Sequence, residues 1–167
     1  MGFQQGPINQ TNMGQGIPGE KAYDGPSRCF PWTLVSTPQL NIVGATAYTE
    51  VSEGVAMAGG TGTFAGILVD PKAYAAFNYG GPEGALLPTM QLPDGTIGQL
   101  MTMGIYFVVL VTAGNIGDQV IYNTTTGVLD RVAFGGSPGT GNAAVPNARI
   151  ILRASAANGL AIVQLTN

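Results

Sequence analysis

Glycine and proline punctuate this chain so often that helices have little room to form: 26 glycines and 11 prolines fall among its 167 residues. In a helix interior Gly costs about 1 kcal/mol and Pro about 3 kcal/mol relative to Ala, so the expectation is an all-β fold of short strands and many turns. The longest apolar run fits it. Residues 92–111 read LPDGTIGQLMTMGIYFVVLV and are almost wholly apolar from Met103 onward. That is far short of the ~20 apolar residues a membrane helix needs, and Ile, Phe and a Val-Val pair favour strands. The run reads as a buried strand entered through the Asp94-Gly95 turn, and no membrane partner is expected.

Turn signals recur at short spacing along the rest of the chain, the pattern of a sandwich or a jelly-roll or barrel-like domain. Residues 33–36, 40–43 and 46–51 are the first strand candidates, and residues 54–62 read as loop. Residues 64–69 form a compact apolar strand closed by Asp70-Pro71, because Pro71 has no N–H to offer a ladder. At most one short helix is expected, over PKAYAAFNY at 71–79, with Asp70 as cap and Pro71 at its first position. Further strands are expected at 86–92 and 97–101. Residues 119–122 and 128–133 form a hairpin, and residues 148–154 pair with the closing strand across Asn158-Gly159. The Gly-rich stretch at 135–147 lacks the Lys and Ser/Thr of a phosphate-binding loop and leads into a strand, so it reads as a surface loop.

Residues 1–32 stand apart from this β-domain, which spans 33–167. They show neither a twofold nor a helical periodicity and read as an extended N-terminal arm. Their apolar side chains are spaced out as Phe3, Ile8, Met13, Ile17, Tyr23, Phe30 and Trp32. Two readings fit: a floppy terminus with incidental apolar residues, or an arm that folds onto a partner and uses those residues as anchors. Trp32, beside a Thr-Leu-Val strand, also suits the domain's own core.

Charge excludes several functions. Only 9% of residues are charged, against the roughly 25% usual for soluble domains, while 45% are hydrophobic. Such a surface is best suited to being covered by neighbours. The net charge is −3, and Lys21, Arg28, Lys72, Arg131, Arg149 and Arg153 are scattered, so no basic stripe exists for a nucleic acid. There is no histidine, which removes the commonest general base and metal ligand. Cys29 is the only cysteine, so no internal disulfide forms, and it reads as a small apolar residue. Asp94 and Asp118 belong to turns, and no Asp-rich calcium loop is present. No catalytic residue, metal or cofactor is expected. The first residues carry no basic cluster or apolar block of a signal peptide, and Gly6 stands where a myristoylation signal has Ser or Thr.

What remains is the profile of an interaction or structural component, and the order of several strings gives it a family. PGEKAYDGPSR, then PWTL, IVGATAYT, FAGILVDPKAYA, LPDGTIGQLMTMG and NIGDQVIYNTTTG together resemble the structural cement, or head decoration, proteins of tailed bacteriophages, from about residue 17 to the final hairpin. The resemblance implies a protein that binds the outside of the expanded phage head and clamps neighbouring major capsid proteins. It also implies a homotrimer or homodimer on a capsid symmetry axis, made in the host cytoplasm and carried on the virion exterior. An arm of this kind adds a strand to a coat protein's sheet edge, which places Phe3, Ile8, Ile17, Tyr23, Phe30 and Trp32 at the capsid contact.

Two other functions compete. A carbohydrate- or receptor-binding β-domain of a phage particle would expose aromatics such as Tyr74, Phe77 and Tyr79. A glycosidase would need a carboxylate pair, for which Glu50 and Glu53 are the candidates, although acids beside Gly54 are ordinarily exposed loop residues.

Overall fold

The computed structural model describes residues 16–36, 41–70, 91–152 and 156–166. Among these the chain is all-β, with eleven strands and no helix. The strands are β1 (Arg28–Val35), β2 (Asn41–Ile42), β3 (Ala47–Ser52), β4 (Val55–Ala58), β5 (Phe64–Val69), β6 (Gln91–Leu92), β7 (Ile97–Leu110), β8 (Gln119–Asn123), β9 (Leu129–Val132), β10 (Asn142–Leu152) and β11 (Gly159–Leu165). The helical turn expected at 71–79 lies outside the described residues, as does most of the strand expected at 86–92.

Nine strands join in the order β1-β4-β3-β5-β7-β11-β10-β8-β9, and β1 pairs with β7 as well. That extra pairing closes β1, β4, β3, β5 and the first half of β7 into a five-stranded ring, in which only β1–β4 is parallel. Closure removes exposed strand edges. The second half of β7 continues into β11, β10, β8 and β9. These strands curl back too: Val111 N donates to Leu129 O at 3.2 Å, Leu129 N donates to Ala45 O at 3.1 Å, and Thr46 bridges Val128. A small β2–β6 pair lies outside this sheet.

The run that reads as two strands at 97–101 and 103–111 is one strand with a bulge. Cys29 faces Met101 and Arg28 faces Met103, so Thr102 has no counterpart. An extra residue shifts the side-chain alternation by one position. Before the bulge, Leu100 enters one core and Met101 the other; after it, Tyr106, Val108 and Leu110 join the core that holds Met101. One bulge thus lets a 14-residue strand serve two interiors.

The first core, inside the ring, contains Leu34, Tyr48, Ala56, Ala58, Ala65, Leu68 and Leu100, with Trp32 packed against it. The second lies between the outer face of β3 and β5, through Ala47, Ile67 and Val69, and the inner face of the curled strands, through Val120, Leu129, Ile150, Val163 and Leu165. Each fully buried aliphatic side chain contributes about 1.5–3 kcal/mol relative to exposure.

Two expectations are corrected. Residues 55–58, read as loop, are β4; their small side chains Ala56 and Ala58 are fully inside, where a narrow five-stranded ring has room for little else. For the same reason β5 passes close to β7, and a Cβ on Gly66 would sit 2.7 Å from Met101 O. The loop expected at 135–147 ends early, because β10 starts at Asn142. Its register with β8 breaks between Ala144 and Arg149, and Pro146 and Asn147 (φ 49°) fall in that break, where no ladder donor is required.

Candidate functional site

The N-terminal segment is built into the domain along β7. Gly19 N donates to Phe107 O at 2.7 Å, Phe107 N to Glu20 O at 2.9 Å and Ala22 N to Ile105 O at 2.9 Å, with Lys21 bridging Tyr106. After Ala22 the chain leaves β7 for five exposed residues, Tyr23, Asp24, Gly25, Pro26 and Ser27, and returns at Arg28 opposite Met103. Residues 19–35 therefore act as one interrupted strand with a projecting excursion. The strand begins at Arg28, inside the segment read as arm. At its start, Gly16 lies on the Phe107 ring so closely that a Cβ would be 2.3 Å from it.

At the foot of the excursion is a cleft of about 400 Å³ lined by Gly19, Glu20, Lys21, Cys29, Asp70, Gln99 and Tyr106. Gln99 and Tyr106 stand seven positions apart on β7, a spacing that sends side chains to opposite faces of a regular strand. The Thr102 bulge brings them to the same side. Asp70 N donates to Gly19 O at 3.0 Å, which ties the end of β5 to the segment.

The cleft's thiol and phenol are paired and neutral. Cys29 Sγ lies 3.4 Å from Tyr106 Oη. Burial pushes the Cys29 thiol up, although its hydrogen bond to Tyr106 and the Lys21 ammonium work in the other direction. Burial, the Cys29 contact and the Asp70 charge push the Tyr106 phenol up to about 12. A thiol held protonated is a poor nucleophile, in keeping with the reading of Cys29 as a packing residue.

The six expected contact residues separate. Ile17, Tyr23 and Phe30 are exposed, at 48%, 57% and 48% of their surface. Trp32 is half-buried against the first core, and its indole N–H is buried without a partner among the described residues. Phe3 and Ile8 lie outside the described residues. So do Tyr74, Phe77 and Tyr79. Glu50 and Glu53 are exposed on the β3–β4 hairpin. Among the described residues no group of three or more metal-ligating side chains gathers, and no helix is long and apolar enough to cross a membrane. The cleft itself was not legible in the sequence. Its residues come from four separate stretches, and only the strand stop at Asp70-Pro71 marked one of its walls.

Comparison with known proteins bears on this surface. A family model described as structural cement protein (E217 gp24/Pam3 gp6) matches residues 3–166. Among solved structures, a chain from the capsid of Myoviridae phage XM1 superposes with a TM-score of 0.59 at 16% identity, covering 96% of this chain and 98% of that one. At that identity the likeness is one of fold. No curated protein matches.

Proposed function

This chain belongs to the structural cement protein family of phage capsids, and from that premise we propose that it binds the outer surface of the expanded head and clamps neighbouring major capsid proteins. The observation that carries the reading is the family match over residues 3–166, nearly the entire chain. The surface supports it. Low charge and exposed Ile17, Tyr23 and Phe30 on a segment fastened to a closed sheet give apolar anchors already held in place, which lowers the ordering cost of binding. Trp32 then acts from behind, as the packing under the strand that presents Phe30. Phe3 and Ile8 extend the contact along the coat surface. A ligand that binds only the expanded lattice stabilises it by mass action, and two or three copies joined on a symmetry axis would multiply the effect. The protein would be made in the host cytoplasm and add to the capsid exterior.

The test mixes the purified protein with expanded and unexpanded heads lacking it, followed by co-sedimentation and imaging of the particles. Saturable coating of expanded heads, and a higher temperature for their disruption, is the expected result. Absence from both kinds of particle would sink the proposal. The arm's share is read by deleting residues 2–15, since Gly19, Glu20 and Ala22 carry sheet hydrogen bonds that a longer deletion would remove.

A further inference from the structure

We propose that Met13 seats on the outer face of the curled strands of its own chain, over Phe107 and Ile162, and so fixes the line along which residues 2–12 leave the domain. That residues aimed in this way meet a coat subunit rests on the cement reading; the seat itself does not.

The alternation that turns Tyr106, Val108 and Leu110 of β7, and Ala161 and Val163 of β11, into the second core turns Phe107 and Ile162 to the opposite face. The two stand directly across from each other on neighbouring strands. Phe107 commits its N–H and its carbonyl to Glu20 and Gly19, so its pairing with Ile162 is of the kind without hydrogen bonds, which brings side chains closest. Val109 and Leu160 form the next pair on this face, and Leu152 of β10 lies opposite Ile162. An antiparallel sheet usually presents polar residues on its outer side. This face is apolar, and Phe107 and Ile162 are only 9% and 4% exposed although they belong to neither core. Gly16 supplies the start of a cover. Gly19 bonds to β7 on the side away from β11, whereas Gly16 already lies against the Phe107 ring, so the backbone crosses β7 toward β11. Residues 1–15 lie outside the described residues. Three residues of extended chain reach about 10 Å, and the two strand spacings from β7 to β10 come to about 10 Å as well. On that path Met13 arrives above Ile162 and Leu152. It is the only apolar side chain between Ile8 and Ile17. An unbranched thioether suits an irregular apolar face and packs favourably at the edge of an aromatic ring such as Phe107.

The test begins with the full chain alone, isotope-labelled at its methionine ε-methyls and isoleucine δ1-methyls and followed by NMR. A nuclear Overhauser cross-peak between the Met13 and Ile162 methyls, within one chain and independent of concentration, is expected. Met13→Thr should abolish it, shift the Ile162 methyl signal and lower the melting temperature by about 3 °C. Met13→Leu, apolar and of similar volume, should keep the melting temperature of the wild type. Absence of the cross-peak in the wild type, a cross-peak only between differently labelled chains, an Ile162 signal indifferent to Met13→Thr, or equal melting temperatures for the Thr and Leu variants overturns the proposal. Heads then separate the two readings. Wild-type protein that shows the contact but coats no expanded heads sinks the cement reading and leaves the seat standing. Protein that coats them without showing the contact sinks the seat and leaves the cement reading.

Discussion

The two interiors that share β7 are filled differently. Among the described residues, the core beneath the curled strands holds sixteen buried residues, nearly all aliphatic, with Tyr122 set against Phe64 at 6.3 Å between ring centroids. Among the same described residues the ring holds nine and relies on polar contacts at its end. There Tyr48 Oη donates to Asn41 Oδ1 at 2.5 Å and Asn41 Nδ2 donates to Asp94 Oδ1 at 3.0 Å. Asp94 Oδ1 also accepts from Ser36 N at 2.9 Å and Ser36 Oγ at 3.0 Å. A small ring cannot bury enough apolar area to fix its own end loops, so hydrogen bonds fix them. The contrast separates the source of stability, which is the curled half, from the half that presents Tyr23 and Phe30.

If that division is right, the largest loss of stability comes from the curled half. Leu110→Ala, at a fully buried position, should cost about 3 kcal/mol and lower the melting temperature by about 10 °C in calorimetry. A smaller loss than that of any ring substitution would break the comparison. Next comes the ring's polar end. Asn41→Ala removes the bonds to the Tyr48 hydroxyl and to Asp94 Oδ1 and should cost about 2 kcal/mol in urea unfolding. Trp32→Phe should cost about 1 kcal/mol or less, because it removes an indole N–H that is buried without a partner, and an effect matching Asn41→Ala would show that this N–H is satisfied in solution.

Alkaline titration sharpens the seam between the halves. The Tyr106 phenol has its pKa raised in the folded protein to about 12, above the ordinary value of 10. Its neutral form is favoured by folding, so its contribution is complete below pH 10 and is lost as pH rises from about 10 through about 12. Stability should fall across that window, and Tyr106→Phe should flatten the fall. An unchanged slope would remove Tyr106 from the account. The smallest effect is at Cys29, whose raised pKa predicts slower reaction with a disulfide reagent at pH 8 than in the unfolded chain, read by absorbance.

The sequence announced the strands whose side chains alternate or run apolar, such as β3, β5, β8 and β11, because burial is written into residue type there. It also marked the turns at Asp94-Gly95 and Asn158-Gly159, although only Asn158 of the latter pair takes positive φ, at 53°. Pairing was not legible. Thr33 lies parallel to Val55 and antiparallel to Ile97, and nothing local in PWTL specifies either neighbour. Nor did Ala56 and Ala58 signal a strand, since their small size answers to a narrow interior that exists only after closure. Ile17, Tyr23 and Phe30 were visible as apolar residues in a segment of low regularity. Their exposure depends on the bonds to Phe107 and Ile105, which no pattern in residues 16–27 encodes.

The Thr102 bulge has a mechanical consequence. At strand rise, β7 runs about 45 Å over its 14 residues without interruption. Tension applied to the ring therefore reaches the curled half along peptide bonds. Separating the two halves would mean peeling hydrogen-bonded neighbours from a common covalent cable, a far stiffer response than sliding one packed face across another.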